Sequence, residues 1–574
     1  MGLLDRLRRK TAPAGNSPPP DATAVTQLLR QADQLREQGD PRSAKALYQR
    51  ALEIDAQNLY AMFWLSTMHF EAGELREAIG YCDRGLALDP DQIGLLLLRA
   101  TMAIAIDDSL QALACYERVA KLNPDVPDLD ALLADRYCKL GRIAEGVAAF
   151  DRAIARNPRS EQLPRSRLFV LNYGDILAPE ALADEHRRWG RPREDALRAE
   201  RRPFSAPRSD RPLRIGYVSP DLREHAVARF MEPLLRAHDR SQFEICCFHT
   251  SRNGEDAVSQ RLRGFATEWR YLPDADDAGL ADAIRGASID IAIDLAGHTS
   301  MNRLLAFARK PAPVQASWLG YLQTTGLTAI DYRITDAYLD PPGMTEHLHT
   351  ETLLRLPHHG CFDPGPNTPA PVADKAEHGR PFTFGSFNQW SKVTPAAKAL
   401  WASILRQAPA ARLLVVAAGA ANPRFVEWVV SELTRLGAAR AQVTVVPPLP
   451  GKAFLELLRG IDAALDTFPY GGGTTTLHAL WMGVPVVTLA GRTPMSRNAV
   501  GPLTAVGLSD LVAATGEQYV EIALTLARAG VPAPARRGAL RERLQASPLM
   551  DAHSFARNME NAYQTMWRAY CDRS

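Results

Sequence analysis

Leu465-Asp466-Thr467-Phe468-Pro469-Tyr470-Gly471-Gly472-Gly473-Thr474-Thr475-Thr476-Leu477-His478-Ala479-Leu480-Trp481-Met482-Gly483-Val484-Pro485 reads as a strand end, a glycine turn and a helix that Gly483 closes. A strand passing through such a turn into a helix is the unit of a parallel α/β sheet. Gly472 and Gly473 let the backbone approach a ligand closely, and Thr474 and Thr475 open the helix. The first N–H groups of a helix have no partner within it and sit at the positive end of its dipole. They suit a diphosphate, with threonine hydroxyls as further donors. On this segment alone a glycine-rich turn with a threonine cap is the alternative.

Upstream, Phe384-Gly385-Ser386-Phe387-Asn388-Gln389-Trp390-Ser391-Lys392 follows the first strand of the same lobe and faces the same cleft. Lys392 is suited to neutralise charge on a departing diphosphate and Gln389 to read a base or phosphate edge; alone, Lys392 reads as a surface lysine. Neither G-x-x-x-x-G-K-[ST] nor a strand-linked G-x-G-x-x-G occurs, which disfavours a P-loop NTPase and dinucleotide redox chemistry.

From about residue 211, β-branched runs alternate with helical stretches. The expected strands are 213–218, 243–248, 289–295, 314–318 and 332–335, then 383–387, 412–417, 443–446, 463–466 and 484–489. A proline-dense connector, 357–381, parts the two sets, which implies two doubly wound, Rossmann-like lobes (211–356 and 382–574) with ligands at the carboxyl ends of their strands. In the first lobe His225 follows the leading strand on a loop, where a base or hydrogen-bonding group is useful; a solvent-exposed loop histidine is the alternative. Gly297 lets His298 approach a ligand, and the 311–321 stretch, ending at Tyr321, shapes the sugar or acceptor end. His347, His349, His358 and His359 lack metal spacing and are expected at the surface. Asp274-Ala275-Asp276, the one aspartate pair spaced like a nucleotide-sugar metal site, is expected to cap a helix, so no metal is expected.

The N-terminal third repeats every 34 residues. Arg50, Arg84, Arg118 and Arg152 fall in register, as do Ala44, Ala78, Ala112 and Gly146, and Tyr48, Cys82, Tyr116 and Phe150. Gly39, Gly73 and Gly141 mark one turn, with Asp107 in place of the fourth glycine, and Pro90, Pro124 and Pro158 close three units. That period marks the tetratricopeptide repeat, so residues 24–160 are expected to form an all-α solenoid of four helical pairs with a concave binding face. A dimerisation or spacing role is the alternative. Residues 1–23 are expected to be disordered and 161–210 to form a helical cap and linker.

Hydrophobic residues make up 46% and charged residues 23% of the 574, which fits globular domains. Lys plus Arg (67) nearly balances Asp plus Glu (65), so no whole-chain field favours nucleic acid or an anionic membrane. Seven cysteines without a C-x-x-C pair argue against a disulfide scaffold or zinc ribbon. With no long apolar run and no signal-peptide core, a cytoplasmic location is expected.

In order along the chain stand the repeats, Tyr217-Val218-Ser219-Pro220-Asp221 with His225, Pro311-Ala312-Pro313-Val314-Gln315 with Trp318-Leu319-Gly320-Tyr321, Phe387-Asn388-Gln389 with Lys392, and Gly473-Thr474-Thr475-Thr476 with Trp481. The whole resembles glycosyltransferase family 41, which holds O-linked N-acetylglucosamine transferases and SPINDLY-type O-fucosyltransferases. The resemblance implies a GT-B fold and inverting, metal-independent transfer of N-acetylglucosamine from UDP-GlcNAc to Ser or Thr hydroxyls of proteins. GDP-fucose or UDP-glucose as donor stays open, because Gly297-His298-Thr299 and Thr324-Thr325-Gly326 resemble the SPINDLY branch, and a repeat scaffold with inactive lobes is the alternative from a different class.

The resemblance makes His225 the match of the histidine proposed as base and Lys392 that of the lysine on the leaving diphosphate. Gln389 matches a nucleotide contact, and Gly472, Gly473, Thr474 and Thr475 the diphosphate turn. His478 stands where animal members have a ribose-contacting aspartate, and Lys452 falls near the uracil-contacting loop. The array is shorter than in animal members and their inter-lobe insertion is replaced by the connector, as in a compact, bacterial-type member. Protein or peptide acceptors are expected along the repeat groove, and pairing of subunits through the repeats stays open.

Overall fold

A computed structural model describes residues 22–204, 211–365, 368–371 and 380–573. Most of the 1–23 segment, residues 205–210 and much of the 357–381 connector lie outside the described residues. The chain divides into two compact units: Met1–Asn157 with Gly419–Trp428, and Pro158–Ala418 with Val429–Ser574.

In the first unit four helical pairs follow one another: Ala22–Glu37 and Pro41–Ile54, Leu59–Glu71 and Leu75–Leu88, Ile93–Ala105 and Ser109–Leu122, Leu129–Lys139 and Ile143–Arg156. The turn inside each pair needs a left-handed residue, and Gly39, Gly73, Asp107 and Gly141 take φ of 83°, 77°, 55° and 73°. The small residues in register are buried where helices cross. Gly146 is the one glycine among them because a Cβ there would lie 2.4 Å from Cys138 Sγ.

The second unit opens with helices Gln162–Leu171 and Pro179–Leu197. Its first sheet comprises β1 (Leu213–Ser219), β2 (Phe243–His249), β3 (Glu268–Tyr271), β4 (Ile291–Asp294), β5 (Val314–Ser317), β6 (Tyr332–Asp336) and β7 (Thr352–Leu356). The order is β3-β2-β1-β4-β5-β6-β7, all parallel. Its second sheet comprises β8 (Thr383–Ser386), β9 (Arg412–Val416), β10 (Val443–Val446), β11 (Ala463–Leu465), β12 (Val486–Leu489) and β13 (Val512–Ala513). The order is β10-β9-β8-β11-β12-β13, again parallel.

β3, β7 and β13 were absent from the expected set, and all three are sheet edges. An edge strand buries less and is short or charged, so it lacks the continuous apolar run of a central parallel strand. Each sheet reverses its winding once, between β1 and β4 and between β8 and β11. Crevices for ligands form at such switch points, outside the carboxyl ends of the strands. The last helix, Ala552–Cys571, lies beyond the second sheet in sequence. Its apolar side nevertheless joins the core of the first lobe, where Phe555, Met559, Tyr563 and Met566 pack with Ile215 and Tyr217.

Candidate functional site

The loops that follow β8 and β11 meet at the switch point of the second lobe. Asp466 holds them together from below, buried at 2% exposure. Its Oδ1 accepts from Asn388 Nδ2 (2.9 Å), Thr467 N (2.9 Å) and Gly472 N (2.8 Å), and its Oδ2 accepts from Thr488 Oγ1 (2.8 Å). Burial pushes the Asp466 carboxyl up, while the donors from Gly472, Thr488 and Thr467 and the Lys392 charge favour its ionised form.

The three glycines serve this packing. A Cβ on Gly471 would lie 3.0 Å from Asp466 Oδ2, one on Gly472 2.9 Å from Asn388 Oδ1, and one on Gly473 2.7 Å from Asn498 Nδ2. The close approach expected toward a ligand is thus made toward three side chains of the protein itself.

Helix Thr474–Trp481 starts at Gly473 with no side-chain cap. Among the described residues no side chain caps its first N–H groups, an arrangement that suits an anion. Thr476 Oγ1 is not an added donor, because it is spent on the Gly472 carbonyl at 2.8 Å. Thr474 and Thr475 are half-buried. A narrow recess under the turn is lined by Phe387, Asn388, Leu458, Asp466, Thr475 and Thr476.

Lys392 ends a short turn, Trp390–Lys392, with its Nζ 3.7 Å from the centroid of the Tyr470 ring. Burial pulls its ammonium down to about 8, and the nearby Asp466 charge acts the other way. Gln389 is exposed, with Oε1 3.5 Å from the Tyr173 hydroxyl.

His478 lies one helical turn beyond Thr474 on the same face. Its ring packs edge-on against Phe362 (5.3 Å) and Phe454 (5.9 Å), and Phe454 against Phe387 (5.6 Å). Desolvation and the charge of Arg229 from the first lobe lower its pKa to about 4. Lys452 is exposed on helix Gly451–Arg459, which also carries Phe454, and lies 3.8 Å from Glu456.

In the first lobe His225 lies on the loop after β1 with its side chain 42% exposed. Its Nδ1 accepts from Val227 N (3.3 Å) and is 3.9 Å from Asp221 Oδ2. His298 and Tyr321 are not at an open surface, at 2% and 3% exposure. His298 Nε2 meets the Thr325 carbonyl at 2.9 Å, and its ring packs against Trp189, His186 and Tyr321.

Asp276 caps helix Asp277–Gly286, its side chain accepting from Gly279 N at 2.7 Å, as expected of that pair. Of the four histidines expected at the surface, His347 is exposed, but His349 is buried and 3.0 Å from Asp340, and His358 and His359 are half-buried. Spacing along the chain could not reveal this, because their loops fold back over β6 and β7.

Sequence reasoning missed Asp466, Asn388 and Tyr470 as site residues. A signal for Asp466 was present: Ile-Asp-x-Ala-x-Asp occurs once in each lobe, at Ile289–Asp294 and Ile461–Asp466, each time ending at a switch point.

Two doubly wound lobes, with an uncapped helix end and a half-buried lysine at one switch point and a histidine loop at the other, define a GT-B protein. A family model for glycosyl transferase family 41 matches residues 195–362 and 374–559, and one for the tetratricopeptide repeat matches 29–93, 97–161 and 131–185. The chain belongs to glycosyl transferase family 41.

It is 38% identical over 424 residues to a Hordeum vulgare protein described as a probable UDP-N-acetylglucosamine–peptide N-acetylglucosaminyltransferase SPINDLY, covering 72% of this chain and 44% of that one. An Arabidopsis thaliana relative, described as the probable transferase SEC, is 30% identical over 370 residues, covering 62% of this chain and 37% of that one. The chain spans less than half the length of these curated relatives. Among solved structures, a variant of the Thermobaculum terrenum O-GlcNAc transferase superposes with a TM-score of 0.67 at 33% identity, covering 97% of this chain and 100% of that one.

Proposed function

We propose that the protein is an inverting, metal-independent O-glycosyltransferase that moves N-acetylglucosamine from UDP-GlcNAc to Ser or Thr hydroxyls of protein chains, with the repeats receiving the acceptor. The observation that carries the reading is the uncapped helix end at Thr474 together with the half-buried Lys392, whose ammonium lies over Tyr470 in the loop leading to that helix. Together they supply fixed positive charge where a diphosphate leaves, the largest contribution in most such reactions. Gly472, Gly473, Thr474 and Thr475 cradle the phosphates, and Gln389 contacts the nucleotide. The aromatic slot around His478, one turn away, takes the nucleoside.

In the transfer, the acceptor oxygen attacks the anomeric carbon from the face opposite the diphosphate. The bond to the leaving oxygen breaks with its electron pair going to the diphosphate, and the hydroxyl proton passes to a base. His225 is the nominee for that base, with a condition attached. Because Nδ1 accepts the Val227 N–H, a neutral ring carries its proton on Nε2 and donates from there. A base role requires the proton on Nδ1, facing Asp221 across the 3.9 Å gap, with Nε2 free toward the acceptor.

Calorimetric titration of the whole chain with UDP and with GDP tests the donor. UDP is expected to bind at least tenfold more tightly, since a site built for one base leaves the other unpaired. Preference for GDP would move the donor to GDP-fucose, and binding of neither would leave a repeat scaffold. Among the described residues no helix is long and apolar enough to cross a membrane.

A further inference from the structure

The helix that leads into the lobes ends on two adjacent side chains that reach opposite lobes. Helix Gln162–Leu171 stops at its C-cap, Asn172, and Tyr173 follows; both are buried, at 4% and 6% exposure. Asn172 Nδ2 donates to the Tyr321 hydroxyl at 2.8 Å, and His186 Nε2 lies 2.7 Å from the same oxygen. His186 Nδ1 meets the Leu182 carbonyl at 2.7 Å, and a carbonyl only accepts. Nδ1 therefore carries the proton, Nε2 accepts from Tyr321, and Asn172 is tied to the first lobe.

Tyr173 turns the other way. Its hydroxyl donates to Gln389 Oε1 at 3.5 Å, and its ring lies 5.3 Å from Tyr470 and 5.3 Å from Phe169. Tyr470 carries Lys392 Nζ on its ring face at 3.7 Å. The next residue, Gly471, donates its N–H to the Met495 carbonyl at 3.1 Å, and Met495 packs with Tyr321 and Leu322. A cation held over a ring in a desolvated site depends on where that ring is held.

We propose that Tyr173 is a positioning residue for Lys392: it backs the Tyr470 ring and tethers Gln389, so that the Asn172–Tyr173 turn aligns the leaving-group lysine from outside the lobe that carries it. The inference rests on the reading of Lys392 as the partner of the diphosphate. A tyrosine that merely filled the core would affect stability and leave Lys392 where it is. One that acts through Tyr470 must move it.

The test uses the full chain with 13C-labelled lysine. The ε-methylene protons of Lys392, assigned by their loss in Lys392→Arg, are expected upfield because of the Tyr470 ring current. Tyr470→Leu should remove that displacement, Tyr173→Leu should remove most of it, and Tyr173→Phe should keep it. In UDP titrations the step from Tyr173→Phe to Tyr173→Leu isolates the ring and should weaken binding about tenfold, an effect that vanishes in the Lys392→Ala background. If Tyr173→Leu melts early, Tyr173→Met, of similar volume, replaces it. An unmoved Lys392 resonance in a Tyr173→Leu or Tyr173→Met protein of normal melting temperature overturns the inference, as does a loss that persists without Lys392. A parent protein that binds no nucleotide diphosphate sinks the functional reading instead, and the resonance still decides the place of Tyr173.

Discussion

Both lobes use one six-residue plan around a central strand, but for different ends. Ile289-Asp290-Ile291-Ala292-Ile293-Asp294 forms β4 and its approach, and Ile461-Asp462-Ala463-Ala464-Leu465-Asp466 does the same for β11. The leading aspartates have the same task. Asp290 takes two Arg211 nitrogens and the Arg214 N–H, each at 2.8 Å. Asp462 takes Arg380 through both oxygens and the Thr383 N–H at 2.8 Å.

The trailing aspartates differ. Among the described residues Asp294 receives only the nearby Ala296 N–H (3.3 Å) and Gly297 N–H (2.7 Å), and burial raises it to about 6. Asp466 gathers donors from three separate segments and lies close enough to Lys392 to favour its charge. The strand plan is therefore neutral toward function. In the proposed reading, the glycine turn after β11 and the lysine after β8 are what make one copy an anion site.

The comparison breaks first on the residues that make the lobes unequal. Lys392→Ala should slow transfer by at least two orders of magnitude, since loss of one such donor costs about 2.7–4 kcal/mol of barrier, and it should weaken UDP binding as well. His225→Ala should also slow transfer strongly but leave UDP affinity within about twofold, because its lobe does not hold the diphosphate. Single-turnover rates beside calorimetry separate the two. Near-normal turnover in Lys392→Ala would remove the lysine from the mechanism, and unchanged turnover in His225→Ala would demote the histidine.

A matched pair of truncations asks whether the trailing aspartates differ as their hydrogen bonds do. Asp466→Ala strands four buried donors at about 1–3 kcal/mol each, and the Gly472 turn loses its anchor. UDP affinity should fall about 30-fold. Asp294→Ala should lower the melting temperature yet leave UDP affinity within about twofold. Equal losses of affinity in both variants would mean that the second-lobe loop has no special tie to the ligand.

Much of this was legible in the sequence, for reasons visible in particular residues. The 34-residue register named the helix crossings because a small residue is obligatory where Ala44, Ala78 and Ala112 are each fully buried. Central strands announced themselves as apolar runs. The edges β3 and β7 did not, since Arg270 and Arg355 interrupt them with charge that an edge tolerates. Lys392 and the glycine turn stood out as candidates because their chemistry is local. Asp466 was passed over because its importance lies in contacts 22 and 78 residues away, to Thr488 and Asn388. His298 and Tyr321 were expected to shape the sugar or acceptor end, yet the helices before the lobes cover them. No single-segment reading can see a side chain capped by another element.

The pH dependence gives a milder contrast. Burial lowers Lys392 to about 8, so the free protein loses this charge as pH rises through that value. On its alkaline side the kcat/KM for the donor should fall to about a tenth of its plateau at pH 9. In Lys392→Arg, whose guanidinium stays charged, that alkaline limb should disappear even if the plateau is lower. His478, held neutral by burial down to about 4, should contribute no limb near pH 6.5. An alkaline limb that persisted unchanged in Lys392→Arg would assign it to another group.

The leading aspartates, alike in plan, should differ least. Asp462 is 1% exposed and also lies 3.2 Å from Arg537, whose side chain is 3% exposed. Asp462→Ala leaves two cations without their partner, and removing one side of a buried pair costs about 3–5 kcal/mol. Asp290 serves Arg211, whose side chain is 30% exposed and free to turn into water. Its loss should cost roughly 1 kcal/mol less, since an exposed cation keeps its solvation. Thermal melting of Asp462→Ala and Asp290→Ala under one set of conditions should therefore place the second-lobe variant lower by a few degrees. The reverse order would show that Arg537, which also donates to the Arg459 and Ile461 carbonyls, is adequately held without the carboxylate.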